Sequence, residues 1–482
     1  MTARVLLCLL AAALCAAASD VTRLAERAKG DTPMASDLRE LCDGIGGRAT
    51  GSEANQKAVE WALKKFRDAG LANAHLEPFT VPALWLADSA EASVVSPTRF
   101  PVRVAAAPFT ASTKGTLEAP LVDAAEGERA DFDKLAGKAR GAIVLIHSKE
   151  MKTFDDLFAE YMHNPTVLEG AKRAGAAAIL LESTRPRGLL YRHPVNMGNA
   201  IEPIPGAIVA REHAERLARL AAAGPIRMRL RLANRTGGAY QANNVIAEIP
   251  GREKPEEVVL IGAHLDSWDL GTGSEDNGVN AAMVIDLARG FQQLGVRPRR
   301  TLRFALFNGE EQGMRGSAGY VAKHRAELGQ HAAVVIFDTG SGKVTGFYLN
   351  GREELRQPLD QALAALPDAH AGDHQLDALD GTDNFDFVLT GVPNLVANQD
   401  PAPYLPDYHA ESDVFERSNI AEQKQSEAIA AAVLYGLAES PERVPRQAQN
   451  DVEKLIIRTK LDAQMKLFGQ WEDWKSGRRG LF

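Results

Sequence analysis

From Asn243 onward the chain alternates near-continuous apolar runs with helical ones, and no other feature narrows the fold as much. NNVIAEIPG and VVLIGAH read as strands and GVNAAMVIDLARGFQQLG as a helix. TLRFALFN is a strand, SAGYVAKHRAEL a helix and AAVVIF a further strand. A helix near 353–366, a strand at VPNLVA and a helix from Ile420 to Ala438 continue the pattern. Strands that are apolar throughout are buried on both faces. Alternation with helices therefore predicts an α/β fold, a mostly parallel mixed sheet with helices on both faces.

At 482 residues the chain exceeds one ordinary core. Between about 100 and 235 its texture changes: GAIVLIH, AAAILLES and IPGAIVA are short β-like runs separated by Pro, Gly and charged turns, with LEGAKRAGA helical. This predicts a mainly β module at 100–235, inserted into a discontinuous domain made of 20–99 and 236–440. His147, His163, His193 and His213 are scattered through the module and read as structural. Residues 20–70 read as helical. Ser52 can cap a helix with Val59, Ala62, Leu63 and Phe66 on one face, and Gly70 is placed to end it. Beyond Pro441, residues 441–482 hold DVEKLIIRTKLDAQMKLFGQWEDW, a helical tail with one apolar side that either docks on the body or pairs with another subunit.

Arg4 followed by the apolar run Val5–Ala18 and small residues before Asp20 has the form of a signal peptide over 1–19. The run is shorter than the ~20 residues that span a bilayer. The expectation is an exported protein without an integral membrane segment after cleavage: secreted or periplasmic, or lysosomal or extracellular in a eukaryote. Of three cysteines only Cys42 remains after such cleavage, which leaves no internal disulfide. A net charge of -8 argues against nucleic acid as partner.

In open α/β sheets ligands gather beyond the carboxyl ends of strands. His264 closes VVLIGAH, Glu310 and Glu311 follow TLRFALFN, and Asp338 closes AAVVIF, with the acidic loop LDSWDLGTGSEDN on the same rim. Imidazole and carboxylate suit zinc, and a pair of zinc ions needs a carboxylate that gives one oxygen to each. Asp276 is the candidate bridge. His264 and Asp338 complete one ion, and Glu311 with His409 of DYHAESD the other. Glu310 is then free to act as general base, and Asp266 is placed to orient His264 by accepting its second N–H. Each signal alone has a plain structural reading: a solvated Glu-Glu pair, or Asp276 as a helix cap. Their joint order on an α/β pattern favours metal. Neither GTGSEDNG nor DTGSGKVTG has Walker spacing, and no G-x-S-x-G elbow occurs.

AHLDSWDLGTGSEDNG, FNGEEQGMRGS, the Asp338 segment and YHAESD together resemble the co-catalytic zinc exopeptidase (aminopeptidase) family. The likeness extends to LCDGIGGRATGSEANQKAVEWALKKF and EPFTVPALW, so it covers most of 37–440. It implies a zinc-exopeptidase fold whose 100–235 insert is a protease-associated domain. His264, Asp276, Glu311, Asp338 and His409 match the metal positions for two Zn2+ per chain, Glu310 the general base and Asp266 the acidic residue after the first histidine. GTDNFDF sits where relatives carry a serine–aspartate motif near the substrate, which Thr382 and Asp383 match loosely. The implied partner is a peptide or dipeptide cut beside a free terminus, and the implied assembly a homodimer, with the C-terminal helix as a contact. Two alternatives share this architecture: a glutaminyl-cyclase-like transferase, with one zinc and without the first histidine, and a non-catalytic receptor-like binding protein that has lost ligands. His264 together with Asp338, and all six positions filled, favour the peptidase.

Overall fold

The computed structural model describes residues 20–480 except 197, 199 and 468. The leader expected over 1–19 lies outside the described residues. Strand β1 (His75–Val81) belongs to one sheet. The strands β2 (Leu84–Ser96), β3 (Phe100–Val102), β4 (Val104–Ala106), β5 (Leu117–Asp123), β6 (Ile143–Ile146), β7 (Ala178–Glu182), β8 (Gly206–Val209) and β9 (Ile226–Gly237) build a second. The chain then returns to the first sheet with β10 (Tyr240–Ile249), β11 (Lys254–His264), β12 (Arg300–Phe307), β13 (His331–Ile336), β14 (Val344–Tyr348) and β15 (Asn394–Gln399).

The first sheet has the order β1-β10-β12-β11-β13-β15-β14. Its centre, β12-β11-β13-β15, is parallel, and its flanks are antiparallel. The mixed α/β sheet read from the sequence forms, but three of its six strand pairings are antiparallel, so it is not mostly parallel. Because successive side chains point to opposite faces, β11 sends Val259, Ile261 and Ala263 to one core and Val258 and Leu260 to the other. Helices Glu53–Asp68, Val279–Leu294 and Ile420–Glu439 pack on the first face, and Tyr320, Val321 and Phe387 from short helices on the second. Each aliphatic or Phe side chain buried there contributes roughly 1.5–3 kcal/mol. Ser52 caps its helix as expected, its hydroxyl accepting from Asn55 N at 3.0 Å, and Gly70 follows the helix end with φ +91°.

The second sheet, ordered β3-β2-β9-β5-β6-β7-β8-β4, corrects the expected limits of the insert. It begins at Leu84 rather than near 100 and closes at Gly237, because β2 pairs with β9 from Leu84↔Gly237 to Ser96↔Arg227. Its eight strands are joined by a few helices, Arg129–Lys134, Phe154–Ala174 and Arg211–Ala223, as the sequence reading expects.

The tail is three helices, Gln449–Arg458, Leu461–Leu467 and Gln470–Lys475. It docks on its own body. Val452, Leu455, Ile456, Met465 and Trp474 are buried against Met314, Phe385 and Leu389, and Trp474 Nε1 donates to Leu389 O at 3.1 Å. Its apolar side is thereby covered by the same chain, which removes the reason for placing a subunit contact there. Among the described residues no helix is long and apolar enough to cross a membrane.

Candidate metal centre

Parallel pairing in register decides where the site forms. His264 is the last residue of β11, opposite Phe307, the last of β12. Glu310 and Glu311 follow β12, and Asp338 follows β13 on the other side of β11. His409 lies on the loop after β15, which continues the parallel run. The carboxyl ends of adjacent strands therefore deliver these side chains to one rim, and Asp276 joins them from the turn just before helix Val279–Leu294.

Two groups of three converge. His264 Nε2 lies 2.9 Å from Asp338 Oδ1 and 3.1 Å from Asp276 Oδ1. His409 Nε2 lies 2.8 Å from Glu311 Oε2 and 3.3 Å from Asp276 Oδ2. Within each group the ligand atoms all lie within 4.8 Å of one another, and all these residues are buried. Asp276 thus faces one group with each oxygen, the disposition a bridging carboxylate requires.

The hydrogen-bond pattern tests the fit to a cation. His264 Nδ1 meets Asp266 O at 2.9 Å and His409 Nδ1 meets Arg192 O at 2.8 Å. A carbonyl only accepts, so each Nδ1 carries a proton, and each Nε2 is the nitrogen that faces the carboxylates. Asp276 Oδ2, Glu311 Oε1 and Asp338 Oδ1 accept no hydrogen bond although buried. Burying carboxylate oxygens without a partner is costly. A pair of divalent cations of borderline softness satisfies all of them, so the residues fit zinc.

Asp266 does not orient His264 through its carboxylate, which is 3.6 Å from Nδ1; its main-chain carbonyl does so. The carboxylate instead accepts from Thr50 Oγ1 at 2.7 Å and Glu310 N at 3.3 Å. Since Thr50 Oγ1 also accepts from Gly309 N at 3.0 Å, it joins the loop after β11 to the loop after β12. Burial, together with the charges of Asp338 and Glu311, pushes the Glu310 carboxyl well above the usual range. Glu310 is outside both convergent groups.

Sequence reasoning missed three residues that shape this rim. The buried guanidinium of Arg48 donates to Leu265 O (2.7 Å), Thr272 O (2.6 Å) and Gly273 O (2.8 Å), pinning both ends of the loop between His264 and Asp276. Asp413 accepts from Ser274 N, Glu275 N and Asp276 N at 2.9, 2.7 and 3.1 Å, and so sets the backbone that carries Asp276. Asp276 is accordingly not the helix cap it could have been. Thr50 is the third. The only local signal for any of them was their place in the GGRATGS and YHAESD stretches.

A cavity of about 350 Å3 opens onto the site, walled by Phe154, Phe158 and Tyr161 of the second module, by Tyr404 and Tyr408, and by Gln464 and Gln470 of the tail. Thr382 lines it, with an unpartnered hydroxyl. Asp383 is buried and is not among the lining side chains, its carboxyl pushed up to about 8 by burial. His147, His163 and His213 make hydrogen bonds within the second module, as a structural reading expects. His193 is different: its ring lies 6.1 Å from that of His409.

The description of peptidase family M28 matches residues 244–434, the stretch that contributes all five convergent side chains. Over that stretch the chain is similar to peptidase family M28. It is an enzyme, a peptidase. Carboxypeptidase Q of Rattus norvegicus is 29% identical over 411 residues, 84% of this chain and 85% of that protein. A crystal structure of a peptidase M28 precursor from Shewanella amazonensis is 28% identical, covers 90% of this chain and 99% of its own, and superposes with a TM-score of 0.79. The zinc aminopeptidase BSAP of Bacillus subtilis, 21% identical with a TM-score of 0.68 over 86% of this chain and 96% of its own, shares the fold.

Proposed function

We propose that this peptidase is an exported zinc exopeptidase of aminopeptidase or dipeptidase type, and that it hydrolyses the bond beside a free peptide terminus. His264, Asp338 and Asp276 would hold one zinc ion, and Asp276, Glu311 and His409 a second. The reading is carried by one observation: two buried groups of inward-facing ligand atoms share Asp276, and several of their oxygens have no other partner. Bound there, the ions would polarise the scissile carbonyl and acidify water. Glu310 takes a proton from the attacking water and returns it to the departing nitrogen; a carboxylate made more basic by burial suits that work. The aromatic walls exclude solvent and give an apolar side chain a place to lie. A cavity of about 350 Å3 suits a dipeptide or a chain end, not a folded loop. The second-sheet module corresponds in this reading to a protease-associated domain that shapes the entrance. Export rests on the N-terminal pattern of Arg4 and the run after it.

The test is a screen of free dipeptides against aminoacyl chromogenic substrates, before and after chelation, followed by zinc addition with the metal content counted. The expected result is hydrolysis that chelation abolishes, restored as two zinc ions per chain are bound. Full activity in metal-free protein, or cleavage of blocked peptides as fast as free ones, overturns the reading.

A further inference from the structure

Residues 190–192 of the second-sheet module run antiparallel beside the loop that carries His409. Tyr191 and Ala410 form a β-bridge. Arg192 N donates to His409 O at 3.0 Å, and Glu411 N donates to Leu190 O at 3.0 Å. Arg192 O in turn accepts the His409 Nδ1 proton. His409 has φ +58°, a left-handed conformation that a residue with a Cβ keeps only where its surroundings impose it. The same module steadies the neighbouring Tyr408, whose ring stacks on His409 with 3.7 Å between centroids. Arg185 Nη2 donates to Tyr408 O at 3.1 Å, and Tyr161 meets the Tyr408 hydroxyl at 3.2 Å.

Besides the bonds from Leu190 N to Glu411 and from the Tyr191 hydroxyl to Glu160, the Arg192 side chain holds residues 190–192. Its buried guanidinium donates to both oxygens of Asp269, at 2.8 and 2.9 Å, and to Ala106 O at 2.6 Å. Asp269 sits on the loop between His264 and Asp276. One fork therefore ties the module to the metal-site loop and fixes the main chain whose carbonyl selects the His409 tautomer.

We infer that Arg192 is a positioning residue for His409, so that the second-sheet module completes the metal centre as well as walling its entrance. This rests on the reading of His409 as a zinc ligand. The experiment is a zinc titration of metal-stripped protein for wild type, His409→Ala, Arg192→Ala and Arg192→Lys, with circular dichroism and thermal unfolding recorded on each. Wild type should bind two ions and His409→Ala one. Arg192→Ala should bind one ion as tightly as wild type and the other about 10–100-fold more weakly, with kcat reduced and KM little changed. Arg192→Lys, which keeps the charge and loses the fork, should fall between, and it carries the test if Arg192→Ala does not fold. If the Arg192 variants bind both ions like wild type while His409→Ala loses one, the positioning role is wrong and the metal reading stands. If His409→Ala keeps both ions, the ligand reading itself has failed and takes the inference with it.

Discussion

Both histidines of the centre give one ring proton to a main-chain carbonyl and turn the other nitrogen toward carboxylates. A side chain held in that way is already in the state a metal needs, so its removal should cost an ion rather than the fold. His264→Ala is expected to lower zinc from two ions per chain towards one, read by elemental analysis of folded protein. Glu310 stands apart from the ligand groups, so Glu310→Gln should keep both ions and lose about 10²–10⁴-fold in kcat. Turnover within a few-fold of wild type would remove it from the role of base. The ligands were legible because they stand in short motifs, with His264, Glu311 and Asp338 at or just after the ends of recognisable strands. Arg48 and Arg192 were not, since their partners are main-chain carbonyls or residues far off in sequence. The orienting oxygen of Asp266 was misassigned for a related reason: composition names a carboxylate, but only geometry shows that the carbonyl is nearer.

Among the elements, the loop between β11 and helix Val279–Leu294 bears the heaviest constraint, with Arg48 tied to its carbonyls and Asp413 to its N–H groups. Arg48→Met fills much of the space but leaves buried carbonyls without a donor. At about 1–3 kcal/mol for each such group, a loss of at least about 3 kcal/mol is expected in urea unfolding, along with faster zinc release. The buried parallel strands were readable from their unbroken apolar runs. The helix Phe154–Ala174 was seen only at its end, because Pro165 in its interior breaks the local pattern. Strand β9 alternates buried and exposed side chains from Ile226 to Leu232, a regular two-residue period whose partner β2 lies more than a hundred residues earlier. Pairing across that distance leaves no mark in either segment, which is why the module's edge was placed too late.

At the scale of the whole molecule, the tail is bound to the wall of the site. Trp474 is buried against Leu389, and Arg479 forms a two-pronged pair with Asp386 at 3.0 and 2.8 Å. Trp474→Ala removes a contact of the kind that costs about 3–5 kcal/mol. The loss should show first as local release of residues 441–480, detected by limited proteolysis, and as a raised KM with the metal content unchanged. A released tail with an unaltered KM would show that Gln464 and Gln470 do not contribute to substrate binding. The amphipathic pattern of this segment was plain in the sequence, but the surface it would cover was not.

The side chains around that cavity come from three separated stretches of polypeptide: residues 154–161, then 264–409, then 464 and 470. Because a ribosome delivers them in that order, the charged centre emerges while its last wall is still unmade. Catalytic competence should thus arrive late in the chain's own biogenesis, after every ligand has been synthesised.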